Sequence, residues 1–334
     1  MMPFKPADGP GDPPQMTMAD RIYLAPMEGI ADAPMRQLLT GCGAYDDCTS
    51  EFIRVTDLPL PRKSLLRRVP ELSHGCRTPS GTPVRVQLLG DNPGSLLATA
   101  RRAVELGAAA IDLNFGCPSR FVHHGGAALL REPELLRRIV LTVREGLDAA
   151  IALTVKIRTG ADDKRECAAI VQAVAQPGVT EITIHARTRR DLYSRELLDW
   201  SVIAAVREFA GGIPLVANGD IDSADSLARC ISLSACRRFM IGRGALMVPN
   251  LPDVLRRGAR PWDSRRKLQF ILEFLELLVE RGFPARSVLD RTRQLMAYMR
   301  QQDVRCAELF AGYCSLRDPD AARAFLQRET APVS

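Results

Sequence analysis

The chain has 334 residues, 46% of them hydrophobic, 25% charged and 5% aromatic, with a formal net charge of +6. This composition excludes a disordered or fibrous protein, and no apolar run approaches the roughly 20 residues that span a bilayer. The charge is too small to demand a nucleic-acid partner, although Asn250 to Ser334 hold 15 Lys and Arg against 11 Asp and Glu; a solvated helical surface and a binding face explain that bias equally well.

Residues 1–18, "MMPFKPADGPGDPPQMTM", are rich in Pro and Gly and lack the apolar centre of a signal peptide. They are expected to form a disordered tail, with Met16 and Met18 as competing starts. Eight short apolar runs follow and predict strands: "RIYLAPM", "YDDCTSEF", "VRVQLLG", "AAIDLNFG", "IALTVKIR", "VTEITIHAR", "IPLVANGD" and "RRFMIGRG". Helical patterns lie between most of them, in "ADAPMRQLLTG", "NPGSLLATARRAVELG", "REPELLRRIVLTVREGL", "DKRECAAIVQAVAQ", "WSVIAAVREFAG" and "SADSLARCISLS". A long Pro- and Arg-containing stretch, Val55 to Pro83, joins the second and third runs. This alternation predicts an α/β fold, a (β/α)8 TIM barrel over residues 19–250. An open doubly wound sheet is the alternative, and the missing G-x-G-x-x-G after the first strand counts against it.

Beyond the barrel, residues 251–334 predict a small helical bundle domain. "DSRRKLQFILEFLELLVERG" offers Asp263 or Ser264 as N-cap and apolar residues at Leu268, Ile271, Leu272, Leu275 and Leu278. In "SVLDRTRQLMAYMRQQ", Leu289, Thr292, Leu295, Met296 and Met299 form one stripe, and Arg293 and Arg300 share another. The second stripe is either a solvated helix face or a track for nucleic-acid phosphates.

Polar residues gather at the C-terminal ends of the predicted strands: Pro26-Met27 with Glu28, Glu51, Gln87, Asn114 with Cys117, Lys156 with Arg158, His185, Asn218-Gly219 and Gly242-Arg243-Gly244. In a barrel these ends meet at one mouth, where active sites form. The glycine turns after strands seven and eight suit a phosphate, with Arg243 adding charge. With Gln87 and Lys156 on the same mouth, flavin mononucleotide (FMN) is the cofactor expected. Cys117 stands between Gly116 and Pro118 in a turn, where side chains tend to face solvent or ligand rather than core. Nine cysteines without a C-x-x-C, and the adjacent pair His123 and His124, indicate neither a zinc site nor a disulfide framework. A reducing cytoplasm is the expected location.

The ordered set "LAPMEGIAD", "SEFIRV", "RVQLLG", "DLNFGCPS", "GGAALL", "VKIR", "IHARTR", "VANGDI" and "MIGRGAL" resembles the tRNA-dihydrouridine synthases from about Arg21 onward. The forms "SEFIRV", "RTPSGTPVRVQLLG" and "GALMVPNL" are most similar to the bacterial C subgroup, which acts on uridine 16 of the D-loop. The resemblance implies a flavin barrel with a helical RNA-binding domain, reduced by NADPH, that passes hydride to C6 of an extruded uracil while a cysteine protonates C5. Cys117 falls on the proton donor. Pro26, Met27, Glu28, Gln87, Lys156, His185, Asn218, Gly219, Asp220, Gly242 and Arg243 fall on the flavin site. Arg54, Asn114, Arg158 and Tyr193 fall on the RNA side, Asn114 toward the uracil edge, and Arg291, Arg293, Tyr298 and Arg300 are added as candidate tRNA contacts. Three departures stand out: Asp220 where Glu is usual, Phe115 where Cys is frequent, and a loop after Cys117 about two residues short that carries His123 and His124. Two other readings compete with a monomeric tRNA uridine reductase: a flavin barrel acting on a free pyrimidine, and an inactive tRNA-binding module. The helical appendage counts against the first, and intact Cys117, Lys156 and His185 against the second.

Overall fold

The computed structural model describes residues 16–17, 19–119 and 125–331. Most of the predicted tail, and His123 and His124, lie outside the described residues.

Nine parallel strands form one sheet: β1 (Arg21–Leu24), β2 (Asp47–Thr49), β3 (Ile53–Arg54), β4 (Val84–Leu89), β5 (Ala110–Asn114), β6 (Ala152–Arg158), β7 (Val179–His185), β8 (Leu215–Asn218) and β9 (Arg238–Ile241). β1 pairs with both β2 and β9, and β2 pairs with β4, so eight strands close on themselves. The expected barrel is present. β3 stands outside the ring on the end of β4. The predicted second strand, residues 45–52, is therefore shorter than expected and β3 lies beyond it: at Ser50 the hydroxyl, not a backbone carbonyl, accepts the Gln87 N–H (3.1 Å).

The barrel helices are α1 (Ala33–Gly41), α2 (Arg62–Arg68), α3 (Pro93–Glu105), α4 (Pro133–Gly146), α5 (Cys167–Val174), α6 (Ser201–Ala205), α7 (Ala224–Ser234) and α8 (Arg243–Met247). α2 and a 3-10 turn at Pro70–His74 occupy the stretch that carried no helical expectation. "WSVIAAVREFAG", expected as one helix, is α6 followed by a 3-10 turn that stops at Gly211 in the left-handed region (φ 57°).

Strand alternation divides the barrel into two environments. Val84, Val86, Leu88, Ile111, Leu113, Val155, Ile157, Ile182 and Ile184 belong to one large apolar core shared with the surrounding helices. The opposite face carries polar residues in register, Gln87 beside Asp112, Asp112 beside Thr154, Asn114 beside Lys156 and His185 beside Asn218. At its lower end Arg85 donates to Asp47 (2.9 Å), pairs with Glu181 (2.7 Å) and lies 4.4 Å over the Tyr23 ring. Tyr23 donates to Glu181 (2.6 Å). Burial there pushes the Asp47 carboxyl up to about 6 against the opposing pull of Arg85.

Five further helices follow: α9 (Leu251–Arg257), α10 (Ser264–Glu280), α11 (Ala285–Met299), α12 (Val304–Ser315) and α13 (Pro319–Thr330). Asp263 is the N-cap of α10, accepting from the Arg266 N–H (2.8 Å). The predicted apolar stripe of α10 and the Leu289–Met299 stripe of α11 are buried. α10 packs on α1, α11 and α13, and α11 packs on α8. No described helix is long and apolar enough to cross a membrane.

Candidate active site

A cavity of about 350 Å³ opens at the C-terminal ends of the strands. Its lining includes Pro26, Met27, Glu28, Gln87, Lys156, His185, Asn218, Gly219, Asp220, Gly242 and Arg243, together with Asn114, Cys117, Arg158, Tyr193 and Tyr298. Residues from seven strand ends, a loop and α11 thus meet where the sequence places the barrel mouth.

The amides of this wall are held from both sides. Gln87 donates to Asp112 (2.7 Å) and accepts from the side-chain amide of Asn114 (2.8 Å). Asn114 in turn accepts from the backbone N–H groups of Gly116 (2.9 Å) and Cys117 (2.5 Å). The Asn114 carbonyl is thus occupied by the turn that carries Cys117, while its Nδ2 keeps one hydrogen beyond the bond to Gln87. Arg158 is also turned inward. It donates to the carbonyls of Gly116 (2.6 Å), Thr188 (2.9 Å) and Leu192 (2.8 Å), so it braces two loops while lining the cavity. Burial pushes its guanidinium down to about 10.

Across the cavity, Asp220 accepts from Arg187 and from Arg243 (2.5 Å). Burial works against its carboxylate, yet the bond and charge of Arg187, then those of Arg243, hold it below the usual range. Gly219 lies at φ +127°, and a Cβ there would meet Leu198 at 2.6 Å. A Cβ on Gly244 would sit 2.2 Å from the Ile221 carbonyl oxygen, so the two glycine turns pack backbone to backbone. Arg187 also reaches Nε2 of His185 (3.2 Å). Since Arg only donates, that nitrogen accepts and the proton sits on Nδ1. Burial, then Arg158 and Lys156, keep His185 neutral. Lys156 donates to Asn218 (2.9 Å), whose own amide donates to the Met240 carbonyl (2.8 Å). Burial, reinforced by Arg158, pushes the Lys156 amine down to about 7.

These residues fit a flavin nucleotide. The wall carries more cationic than anionic side chains, its glycine turns admit close backbone approach, and Lys156 is a buried amine whose charge an electron-rich neighbour would stabilise. Cys117 is half-buried at the same wall. Burial raises its thiol, and Glu28 adds to that effect, so the sulfur holds its proton at neutral pH. Burial likewise raises the Glu28 carboxyl, opposed by Arg68.

The residues expected on the RNA side divide. Tyr193 is 51% exposed at the rim, with the guanidinium groups of Arg158 and Arg243 each 5.2 Å from its ring. Tyr298 brings α11 to the cavity. Arg54 is exposed on β3, and Arg300 is exposed with its guanidinium 3.9 Å over the Phe310 ring. The other two arginines are used internally. Arg291 donates to Asp32 (2.5 Å), the N-cap of α1, and lies over Phe274 and Phe283. Arg293 donates to the Leu316 carbonyl (2.5 Å) and to Asp290 (3.2 Å). The expected stripe is thereby reduced to Arg300. Sequence reading missed Arg187 and Asp112. Asp112 shares a strand face with Asn114, and a carboxylate inside so apolar a run needs partners, which was the available signal.

The dihydrouridine synthase family model matches residues 23–320. The chain belongs to this family. It is 41% identical over 309 residues to the tRNA-dihydrouridine(16) synthase of Escherichia coli K12, covering 91% of this chain and 97% of that one. The tRNA-dihydrouridine(16) synthase of Haemophilus ducreyi is 40% identical over 310 residues, 92% of this chain and 95% of its own. Among solved structures, histamine dehydrogenase from Rhizobium sp. 4-9 aligns at a TM-score of 0.55 with 14% identity, over 77% of this chain and 49% of that one, a likeness of fold alone.

Proposed function

We propose that this family member reduces a D-loop uridine of tRNA, U16, to 5,6-dihydrouridine in the cytoplasm, acting as a monomer with FMN as cofactor and NADPH as reductant. The carrying observation is that Cys117, with its proton retained, and the buried amine of Lys156 line one cavity. The names of the relatives support the choice of uridine. FMN held in this cavity would supply hydride to C6 of the pyrimidine, with NADPH as its reductant. Cys117 delivers the proton to C5, and its half-buried position keeps the thiol protonated until a base enters. Lys156 and Gln87 would hold the ring, while Arg243 and the Gly219 and Gly242–Gly244 turns would hold the phosphate. Met27 acts mainly through its backbone. Tyr193 offers a face on which an extruded base stacks. Residues 251–334 serve as the tRNA-binding domain, with Arg300 positioning the phosphate backbone and Arg54 contributing from the barrel.

The test is anaerobic. Purified protein should be yellow, bleach with NADPH and regain its colour with tRNA. Cys117→Ala should retain flavin and tRNA affinity while turnover falls about 100-fold or more. A colourless protein that binds tRNA would favour the inactive module, recolouring by free uridine a small-molecule enzyme, and wild-type turnover in Cys117→Ala would remove the thiol from the reaction.

A further inference from the structure

Asp112 is 1% exposed on β5 and does not line the cavity, yet its carboxylate begins a continuous chain of hydrogen bonds that ends at the turn of Cys117. Thr154 donates to its Oδ1 (2.5 Å) and Gln87 Nε2 to its Oδ2 (2.7 Å). Asn114 Nδ2 donates to Gln87 Oε1 (2.8 Å), and Asn114 Oδ1 accepts from Gly116 N (2.9 Å) and Cys117 N (2.5 Å).

Each amide in this chain has a donor end and an acceptor end, so each could face either way on shape alone. Burial raises the Asp112 carboxyl and the bonds from Thr154 and Gln87 oppose that rise; as a carboxylate it only accepts, so Gln87 must present its NH2 to Asp112 and its carbonyl to Asn114. Asn114 must then present its own NH2 to Gln87, which leaves its carbonyl aimed at the two backbone N–H groups of the turn. Reverse either amide and the chain sets acceptor against acceptor or donor against donor. The far side of the turn is fixed too: Arg158 donates to the Gly116 carbonyl (2.6 Å), and the Ala127 N–H donates to the Cys117 carbonyl (2.8 Å).

We infer that Asp112 is a positioning residue for the proton donor, its carboxylate setting the direction of the Gln87 and Asn114 amides and through them the seat of Cys117. The inference rests on the proposed function for the role of Cys117. The arrangement of the turn itself does not depend on that reading.

Asp112→Leu keeps the branched shape and carries no acceptor, so Gln87 is no longer directed. Three measurements on holoprotein are expected to move together. Amide exchange at Gly116 and Cys117, protected in the wild type, should lose protection. Alkylation of Cys117 by iodoacetamide, followed on its own peptide by mass spectrometry, should change about threefold or more, and single-turnover reduction of tRNA should fall about tenfold or more, as expected for a displaced acid. Because Gln87 also borders the flavin site, reduction of the flavin by NADPH is followed in the same samples, and the loss in tRNA reduction should exceed any change in it by about threefold or more. Wild-type exchange and alkylation in Asp112→Leu would overturn the inference. So would unprotected Gly116 and Cys117 amides in the wild type, a result that needs no variant to fold. A wild type that makes no dihydrouridine would instead sink the functional reading while the exchange and alkylation results still decide the relay.

Discussion

Replacing Lys156 with Met should make the flavin-free protein more stable near neutral pH while weakening its hold on flavin. Burial and Arg158 push the Lys156 amine from an ordinary 10.5 down to about 7. Between those values the unfolded chain binds more protons than the folded one, so stability rises with pH across this window. The charge penalty is fully present below the folded value and disappears above the unfolded one. At about 1.4 kcal/mol per pKa unit, the penalty is at most about 4 kcal/mol at pH 7 and about 2 kcal/mol at pH 9. Met removes it but leaves the Asn218 carbonyl without its donor, at a cost of about 1–3 kcal/mol. The variant should therefore lead by about 1–3 kcal/mol at pH 7 and lose about 2 kcal/mol of that lead by pH 9. Urea unfolding of both proteins across that range reads the difference. Parallel pH curves, with the wild type more stable throughout, would refute the burial argument.

Gly244→Ala should weaken flavin binding about tenfold or more and cost about 1–3 kcal/mol of stability, since its Cβ would press on backbone atoms of Ile221 and Asp222; fluorescence titration and thermal melts check both. Arg300→Ala should weaken tRNA binding and lower the salt slope of log K by about one. Arg291→Ala should leave that slope unchanged and lower the unfolding free energy by about 1–3 kcal/mol, because its partners are Asp32 and two rings within the protein. Equal salt slopes for wild type and Arg300→Ala would remove Arg300 from the tRNA face.

The barrel was legible because each closing strand is an apolar run bounded by turn residues, and the site was legible because polar residues cluster at the ends of those runs. β3 escaped notice because two residues hold no periodicity. α12 and α13 escaped because they bury little: only Cys306 and Tyr313 in one, and Ala322 and Leu326 in the other. Their N-caps, Asp303 and Asp318, were readable signals. Residue type told where chemistry gathers, but not which partner a side chain would choose. Arg291 finds Asp32 from 259 residues away, and Arg158 turns to carbonyls 30 to 42 residues distant. An arginine spacing on one helix carries no trace of such partners. Asn114 is the same case at shorter range, since Gln87 is 27 residues away.

Tyr298 is the one side chain by which α11 enters the reaction chamber, and Arg291 moors the same helix to the start of α1. The chamber is therefore a joint construction of early and late parts of the chain, and its mouth is finished only when the last helices have docked. A nascent chain released up to β9 has every strand yet lacks part of the rim. The shape of that opening then depends on how α11 is seated, so a substitution that loosens its tie to α1 reaches the cavity without touching a barrel residue.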